Sequence, residues 1–305
     1  MSHKYKGIFF AIASASLFGL SPLWVTTFTS GGGNSMMMAF IRNLFFLPVC
    51  ALLLHRREGR VFMPVSKAAA RGLVILSLFG SGMTQLLLFA SYSFMASGIC
   101  TTVHFIYPLF VFLMSAIFYG QKMTPKTVFC LALCMAGLMC FYPRGSAISF
   151  MGLAIALLSG ITYAFYMVYL DRGGFEGISP LRLQFYVAVI NAALMLCCCL
   201  VTGNFILDLA PSAWLCGIAA SQILGFAVVL CQIGIKEIGA EKASLLSTFE
   251  PITSLVVGVL FLKESLDHIA FMGAAVILLS VLVFNLPEGR LSHIHLPFAH
   301  AHHRR

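Results

Sequence analysis

The chain predicts an all-α integral membrane protein: ten transmembrane helices arranged as two inverted five-helix repeats, with N and C termini cytoplasmic. Three observations predict it. The chain is a succession of apolar runs, its second half repeats its first, and its cations fall on alternate connections. Mean hydropathy is +0.96, with 60% hydrophobic and only 10% charged residues, which excludes a soluble globular domain.

The runs lie near 7–28, 34–54, 71–92, 98–119, 127–142, 149–170, 180–202, 212–235, 243–262 and 267–286. Each approaches the roughly 20 residues that a helix needs to cross a ~30 Å hydrocarbon core. The fifth is the shortest. The first follows a short basic N-terminus, as a secretory signal would, but it is longer than a signal core and nine further runs follow. It is read as a span.

The repeat is visible around two prolines. Phe105-Ile106-Tyr107-Pro108 recurs as Thr248-Phe249-Glu250-Pro251, a shift of 143 residues that also carries Gly82 onto Gly225 and Phe118 onto Phe261. At the start of each half the shift is 145, placing Ala11, Ala15 and Gly19 on Ala156, Gly160 and Ala164. Residues 7–142 form the first repeat, 149–286 the second, and 287–305 a His-rich cytoplasmic tail. Five spans per copy is an odd number, so the copies are inverted, a hallmark of alternating-access transporters.

The charges agree with this inversion. Sixteen Lys and Arg fall on the cytoplasmic side, against Arg144 and Lys263 outside and Arg42 within a span. This is the positive-inside pattern, so the net charge of +9 reports topology, with some attraction to membrane lipid, rather than nucleic-acid binding. Of ten cysteines, Cys100 sits at a span end, the others lie within spans, and no outer loop carries a pair. They are expected as free thiols without a zinc site, and the tail histidines as part of a charged end rather than a metal centre.

The doubled five-helix unit, the Tyr107-Pro108 and Glu250-Pro251 pair, and the ending Leu262-Lys263-Glu264-Ser265-Leu266 resemble the EamA family of the drug/metabolite transporter superfamily. The resemblance covers about residues 7–286. It implies a multi-pass carrier of the bacterial inner membrane, usually an exporter of amino acids, other metabolites or drugs. The sequence departs from the family at Gln121, where the second repeat has Glu264 and an acidic residue is frequent in both copies.

Ionisable residues inside a membrane are functional candidates by default, and three lie well inside spans: Arg42, His104 and Glu250. Arg42 and Glu250 lie roughly 12 Å and 10 Å from opposite faces at about 1.5 Å per residue, so both approach the midplane. Arg42 suits a substrate carboxylate, or else a structural ion pair with Glu250. Glu250 suits a substrate ammonium or a coupling proton, or else the free backbone around its proline. His104 is a relay or donor candidate, or simply a satisfied neighbour. Tyr107, the counterpart of Glu250, joins Tyr163 and Tyr166 as substrate-binding candidates, with Trp24 and Tyr169 as further possible walls. Pro108 and Pro251 are read as helix kinks, each freeing a carbonyl one turn earlier, at His104 and Ser247. The stripes Ala11/Ala15/Gly19, Ala156/Gly160/Ala164 and Gly217/Ser221/Gly225 are read as packing faces, and Gln85, Asn191, Gln222 and Gln232 as further polar candidates.

The predicted function is secondary active transport of a small-molecule substrate. No phosphate-binding loop of the Walker type occurs in the sequence, and no cofactor is expected. A membrane-embedded enzyme would need a polar constellation that the sequence does not offer, and a channel would need a filter-like segment; these are the alternatives. Nothing in the sequence specifies an oligomeric state.

Overall fold

The computed structural model of the chain describes residues 3–95, 97–140, 149–261 and 268–286. Every regular element among them is helical. The positions read as kinks, Pro108 and Pro251, and others besides, are outright interruptions. Helices α1 (His3–Phe18) and α2 (Ser21–Ser30) are separated by a turn, as are α3 (Ser35–Leu44) and α4 (Phe46–Glu58). A π-helical stretch, Leu76–Gly82, separates α5 (Lys67–Ile75) from α6 (Met83–Ser91). Then come α7 (Ser97–His104), α8 (Tyr107–Tyr119) and α9 (Pro125–Met139). In the second half, α10 (Phe150–Arg172), α11 (Pro180–Val201) and α12 (Pro211–Ile238) are unbroken, and α13 (Ala240–Leu246), α14 (Phe249–Phe261) and α15 (His268–Asn285) follow.

Joined across their breaks, these make eight stretches of 21 to 28 residues that are long and apolar enough to cross a membrane. The shorter apolar helices 125–139 and 271–284 stand where the fifth and tenth runs were read. The segment 141–148 between the repeats, the motif residues 262–266 and the tail 287–305 lie outside the described residues.

Proline chemistry accounts for the breaks. Pro22, at the start of α2, has no N–H to give the Phe18 carbonyl, and the Ser21 hydroxyl donates to it instead. Pro48, in the first turn of α4, likewise has no N–H to give the Leu44 carbonyl, beside the α3/α4 break at Phe45. There Ser221 of α12 donates to the Arg42 carbonyl (2.9 Å) and Gln222 to the Phe45 carbonyl (2.8 Å). Pro108 and Pro251 open the α7/α8 and α13/α14 breaks at equivalent places in the two repeats. Instead of bending a continuous helix, the backbone leaves the helical path at Phe105-Ile106 and Ser247-Thr248. By contrast α10, α11 and α12 contain no internal proline and run as rods of 23, 22 and 28 residues.

Small residues set the helix spacing. A Cβ on Gly234 would lie 3.2 Å from Ala11, seating α1 against α12, where Ser14 also donates to the Ala227 carbonyl (2.7 Å). A Cβ on Gly160 would lie 3.0 Å from the His104 carbonyl, the one that Pro108 frees. Gly80 and Gly82 of the π stretch press in the same way on Tyr166 of α10 and on Leu194 and Asn191 of α11. Close approach through small residues is the main source of packing energy where lipid is as apolar as the protein.

Apolar packing is divided at both ends of the bundle. Toward the end that holds Lys4, Lys122, Arg172 and Lys242, one cluster joins Leu73, Val111, Leu170, Leu183, Ile235 and Leu246, and another gathers Phe46, Cys50, Leu54 and Phe185 beside Val61 and Leu181. Toward the other end lie separate clusters, one around Phe28, Met37, Ile41 and Ala213, the other around Met95, Ile99 and Ala156.

At the basic end, Arg182 is 3% exposed and clips the 59–66 loop to α11. Its guanidinium donates to Glu58 through Nε (2.9 Å) and Nη2, and to the carbonyls of Arg60 (3.0 Å) and Val61 (3.2 Å). Ser179 donates to the other Glu58 oxygen. Arg182→Ala removes the donors to one Glu58 oxygen and to the Arg60 and Val61 carbonyls, and is expected to destabilise the fold by about 2–3 kcal/mol, with Arg182→Lys recovering only part. Thermal unfolding in detergent reads this, and an unchanged midpoint would show that the clip holds nothing.

Candidate functional site

The helix breaks converge on one region in the middle of the bundle. The α13/α14 break makes Glu250 the second residue of α14, and the α3/α4 break follows Arg42 by three residues. Gly19, at the α1/α2 break, lies against the start of α14: a Cβ there would meet Thr253 Cβ at 2.4 Å and the Glu250 carbonyl at 2.9 Å. Ser254 also donates to the Gly19 carbonyl (3.2 Å). Three interrupted helices therefore bring backbone and charge to the same depth, where an unbroken helix would present only side chains.

Arg42 and Glu250 lie deep in the protein yet are only half-buried, so each keeps surface facing an internal space. They act on one another electrostatically, with Tyr163 within the field of both, but they stand too far apart for a direct ion pair. An opposed pair of unneutralised charges is costly in a membrane interior unless water or a ligand completes it.

An aromatic wall adjoins them. The rings of Tyr107 and Tyr163 meet edge to face at 4.7 Å, and His104 lies 5.6 Å from Tyr107 and 5.5 Å from Tyr163. Tyr163 and Tyr166 stack at 5.9 Å with an interplanar angle of 12°. Tyr166 is fixed by Gln232, whose amide donates to its hydroxyl (3.0 Å) and to Gln184 (3.0 Å). Tyr107 is buried, and its hydroxyl points toward Ser247 without a hydrogen bond of good geometry. His104 is held by Ser159, with Nδ1 to Oγ at 2.9 Å. The Ser159 proton goes to the Ala156 carbonyl (2.6 Å), so the imidazole must donate through Nδ1.

The structure thus brings Arg42, His104, Tyr107, Tyr163, Tyr166 and Glu250 into one neighbourhood and leaves two possible walls outside it. Tyr169 stacks with Phe165 (5.3 Å) and meets Phe175 (5.7 Å), while Trp24 packs in the cluster around Phe28, where Cys216 contacts its carbonyl. Among the other polar candidates, Gln222 closes a helix break, Asn191 donates to Ser81 (2.8 Å), and Gln85 accepts from Asn43 (3.2 Å). Ser159 and Asn43 are partners that sequence reasoning did not single out, and Ser221, read as part of a packing stripe, also donates to the Arg42 carbonyl. A serine within an apolar run gives no sign of which carbonyl or ring it will meet across a helix interface. No group of three or more metal-ligating side chains occurs among the described residues.

Comparison with known proteins gives this arrangement its context. A solved structure, described only as the crystal structure of a protein, superposes with a TM-score of 0.80 over 94% of this chain and 99% of its own, at 17% identity; it shares the fold. An uncharacterized transporter of Synechocystis sp. is 25% identical over 263 residues, covering 83% of this chain and 80% of that protein. Another, from Archaeoglobus fulgidus, is 26% identical over 278 residues, covering 89% and 93%. The uncharacterized transporter YdfC of Bacillus subtilis is 34% identical over a shorter 122 residues, 39% of this chain and 38% of its own.

Fold and relatives define a multi-pass membrane transporter. The chain belongs to the EamA-like transporter family, whose profile matches residues 5–142 and again 150–286.

Proposed function

We propose that this transporter is a secondary carrier that exports small organic metabolites, amino acids or related compounds or drugs, by alternating access across a bacterial inner membrane. The observation that carries the reading is the separated Arg42–Glu250 pair beside the Tyr107/Tyr163/Tyr166 wall. A substrate with a carboxylate, an ammonium and an apolar body would complete both charges and lie on the rings. In this reading Arg42 binds the carboxylate, and Glu250 binds the ammonium or exchanges a coupling proton in its absence. His104 serves the same space as a hydrogen-bonding side chain, and Pro108 and Pro251 keep the flanking backbone open. The spans act as two inverted five-helix repeats, residues 7–142 and 149–286, with the termini and the tail 287–305 cytoplasmic; the charge distribution supports that orientation.

Purified protein in proteoliposomes separates the possibilities. Saturable uptake of a labelled amino acid that is accelerated by internal substrate is expected of a carrier. Flux that rises linearly without saturation would make it a channel, and chemical conversion of the solute an enzyme.

A further inference from the structure

A cavity of about 500 Å³ opens at the basic end of the bundle, apart from the Arg42–Glu250 region. Its walls carry five cationic side chains, Lys4, Lys122, Lys126, Arg172 and Lys242, and a single carboxylate, Glu241. These come from far-apart parts of the sequence: the start of α1, the α8–α9 connection, the first turn of α9, the end of α10 and the first turn of α13. Folding has gathered like charges, which repel, around one hollow.

The charges are not spent on the protein itself. Arg172 is the exception: it pairs with Asp171 (3.3 Å) and Glu241 (3.7 Å), donates to the Gln121 side-chain oxygen (3.2 Å) and lies over the Tyr119 ring. Lys126 donates to the Leu286 carbonyl. Lys4, Lys122 and Lys242 are exposed and have no carboxylate partner among the described residues. The N-terminus of α9, a 15-residue helix capped by Thr124, also opens on the cavity and adds the positive end of its dipole. Ile8, Phe112 and Phe284 form an apolar inner surface. The hollow is therefore polar and positive at its rim and greasy within.

We propose that this vestibule is a binding site for a phosphate-type anion, held by Lys122 and Lys242 with Lys4 at the rim and Arg172 as a fixed, pre-oriented wall. The same chemistry is presented by a soluble phosphorylated solute and by the headgroup of an anionic lipid whose chains would lie on Ile8, Phe112 and Phe284. The site does not depend on what the central pair carries.

The test reads binding and not flux, so its outcome is separable from that of the carrier reading. Full-length protein in phosphatidylcholine nanodiscs is titrated with inorganic phosphate by calorimetry. Protein reconstituted with phosphatidylglycerol is weighed by native mass spectrometry for retained lipid. Wild type is compared with Lys122→Gln/Lys242→Gln and with the charge-keeping Lys122→Arg/Lys242→Arg. Saturable phosphate binding that weakens about tenfold or more in the Gln double variant, and survives in the Arg variant, assigns a soluble anion. One retained phosphatidylglycerol that is lost in the Gln variant assigns a lipid headgroup. Absence of both, or binding that the Gln variant leaves unchanged, overturns the site. Both lysines are exposed, Lys122 in the α8–α9 connection and Lys242 in the first turn of α13, and an unaltered thermal midpoint checks that the variant is folded.

Discussion

Glu250→Gln is expected to abolish solute uptake driven by a pH gradient while leaving exchange of solute against solute measurable. Glutamine keeps the shape of the side chain and its hydrogen-bonding capacity but can neither carry the charge nor release the proton. If Glu250 is the coupling group, the variant is locked in one protonation state, and only the substrate-loaded transition between the two access states remains. Arg42→Ala tests the other end of the site. Losing one charge-assisted hydrogen bond of about 1.5–3 kcal/mol corresponds to roughly 10- to 100-fold weaker binding, read as a raised half-saturation concentration in counterflow. The pair gives the test its discrimination: Arg42→Ala should weaken binding without removing pH dependence, and Glu250→Gln should remove pH dependence. Wild-type flux in both variants would place the substrate elsewhere, and an unchanged pH profile in Glu250→Gln would remove it as the coupling group.

The second large effect is structural and lies at Gly225. A Cβ there would fall 2.2 Å from Cδ2 and 2.4 Å from Cγ of Phe46. That ring is fully buried and packed edge to face on Phe226 at 5.3 Å, so it has nowhere to move. Gly225→Ala should cost about 1–3 kcal/mol of overpacking, and Gly225→Leu should prevent α4 from seating on α12 and leave no monodisperse protein. Gly120→Ala is the contrast. Its φ is +64°, but open space surrounds the position, so only a backbone penalty of about 1 kcal/mol is expected. Size-exclusion profiles and melting curves compare the variants; a wild-type melting point for Gly225→Ala would mean that α4 and α12 are not in the contact described.

Much of this architecture is written in residue types. Apolar runs give the helices, and Pro108 and Pro251 mark the two equivalent interruptions. The breaks at Leu20 and Phe45 were equally available from Pro22 and Pro48, whose missing N–H groups carry the same meaning near the start of a span as in its middle. The π-helical stretch was not available. Its glycines are explained only by the Tyr166 and Asn191 side chains that crowd them, and those contacts belong to α10 and α11. The central residues divide in the same way. Arg42, Glu250 and His104 stand out because an ionisable group in an apolar run is conspicuous, whatever its neighbours. The partner Ser159 does not, and Ser221 shows only its small size, because a run that is apolar on every face carries no periodicity to say which side a helix turns inward.

The clasp of Ser221 and Gln222 on the Arg42 and Phe45 carbonyls has a consequence for how the two halves of the chain recognise each other. Apolar faces are poor matchmakers in a bilayer, since a lipid tail covers them about as well as another helix does. A bare carbonyl is different, because lipid has no donor to offer it. The interruption in the first half therefore creates a demand that the hydroxyl and amide of α12 in the second half meet. Fidelity of assembly between the duplicated halves resides at the points where a helix fails, and not along the smooth surfaces where it succeeds.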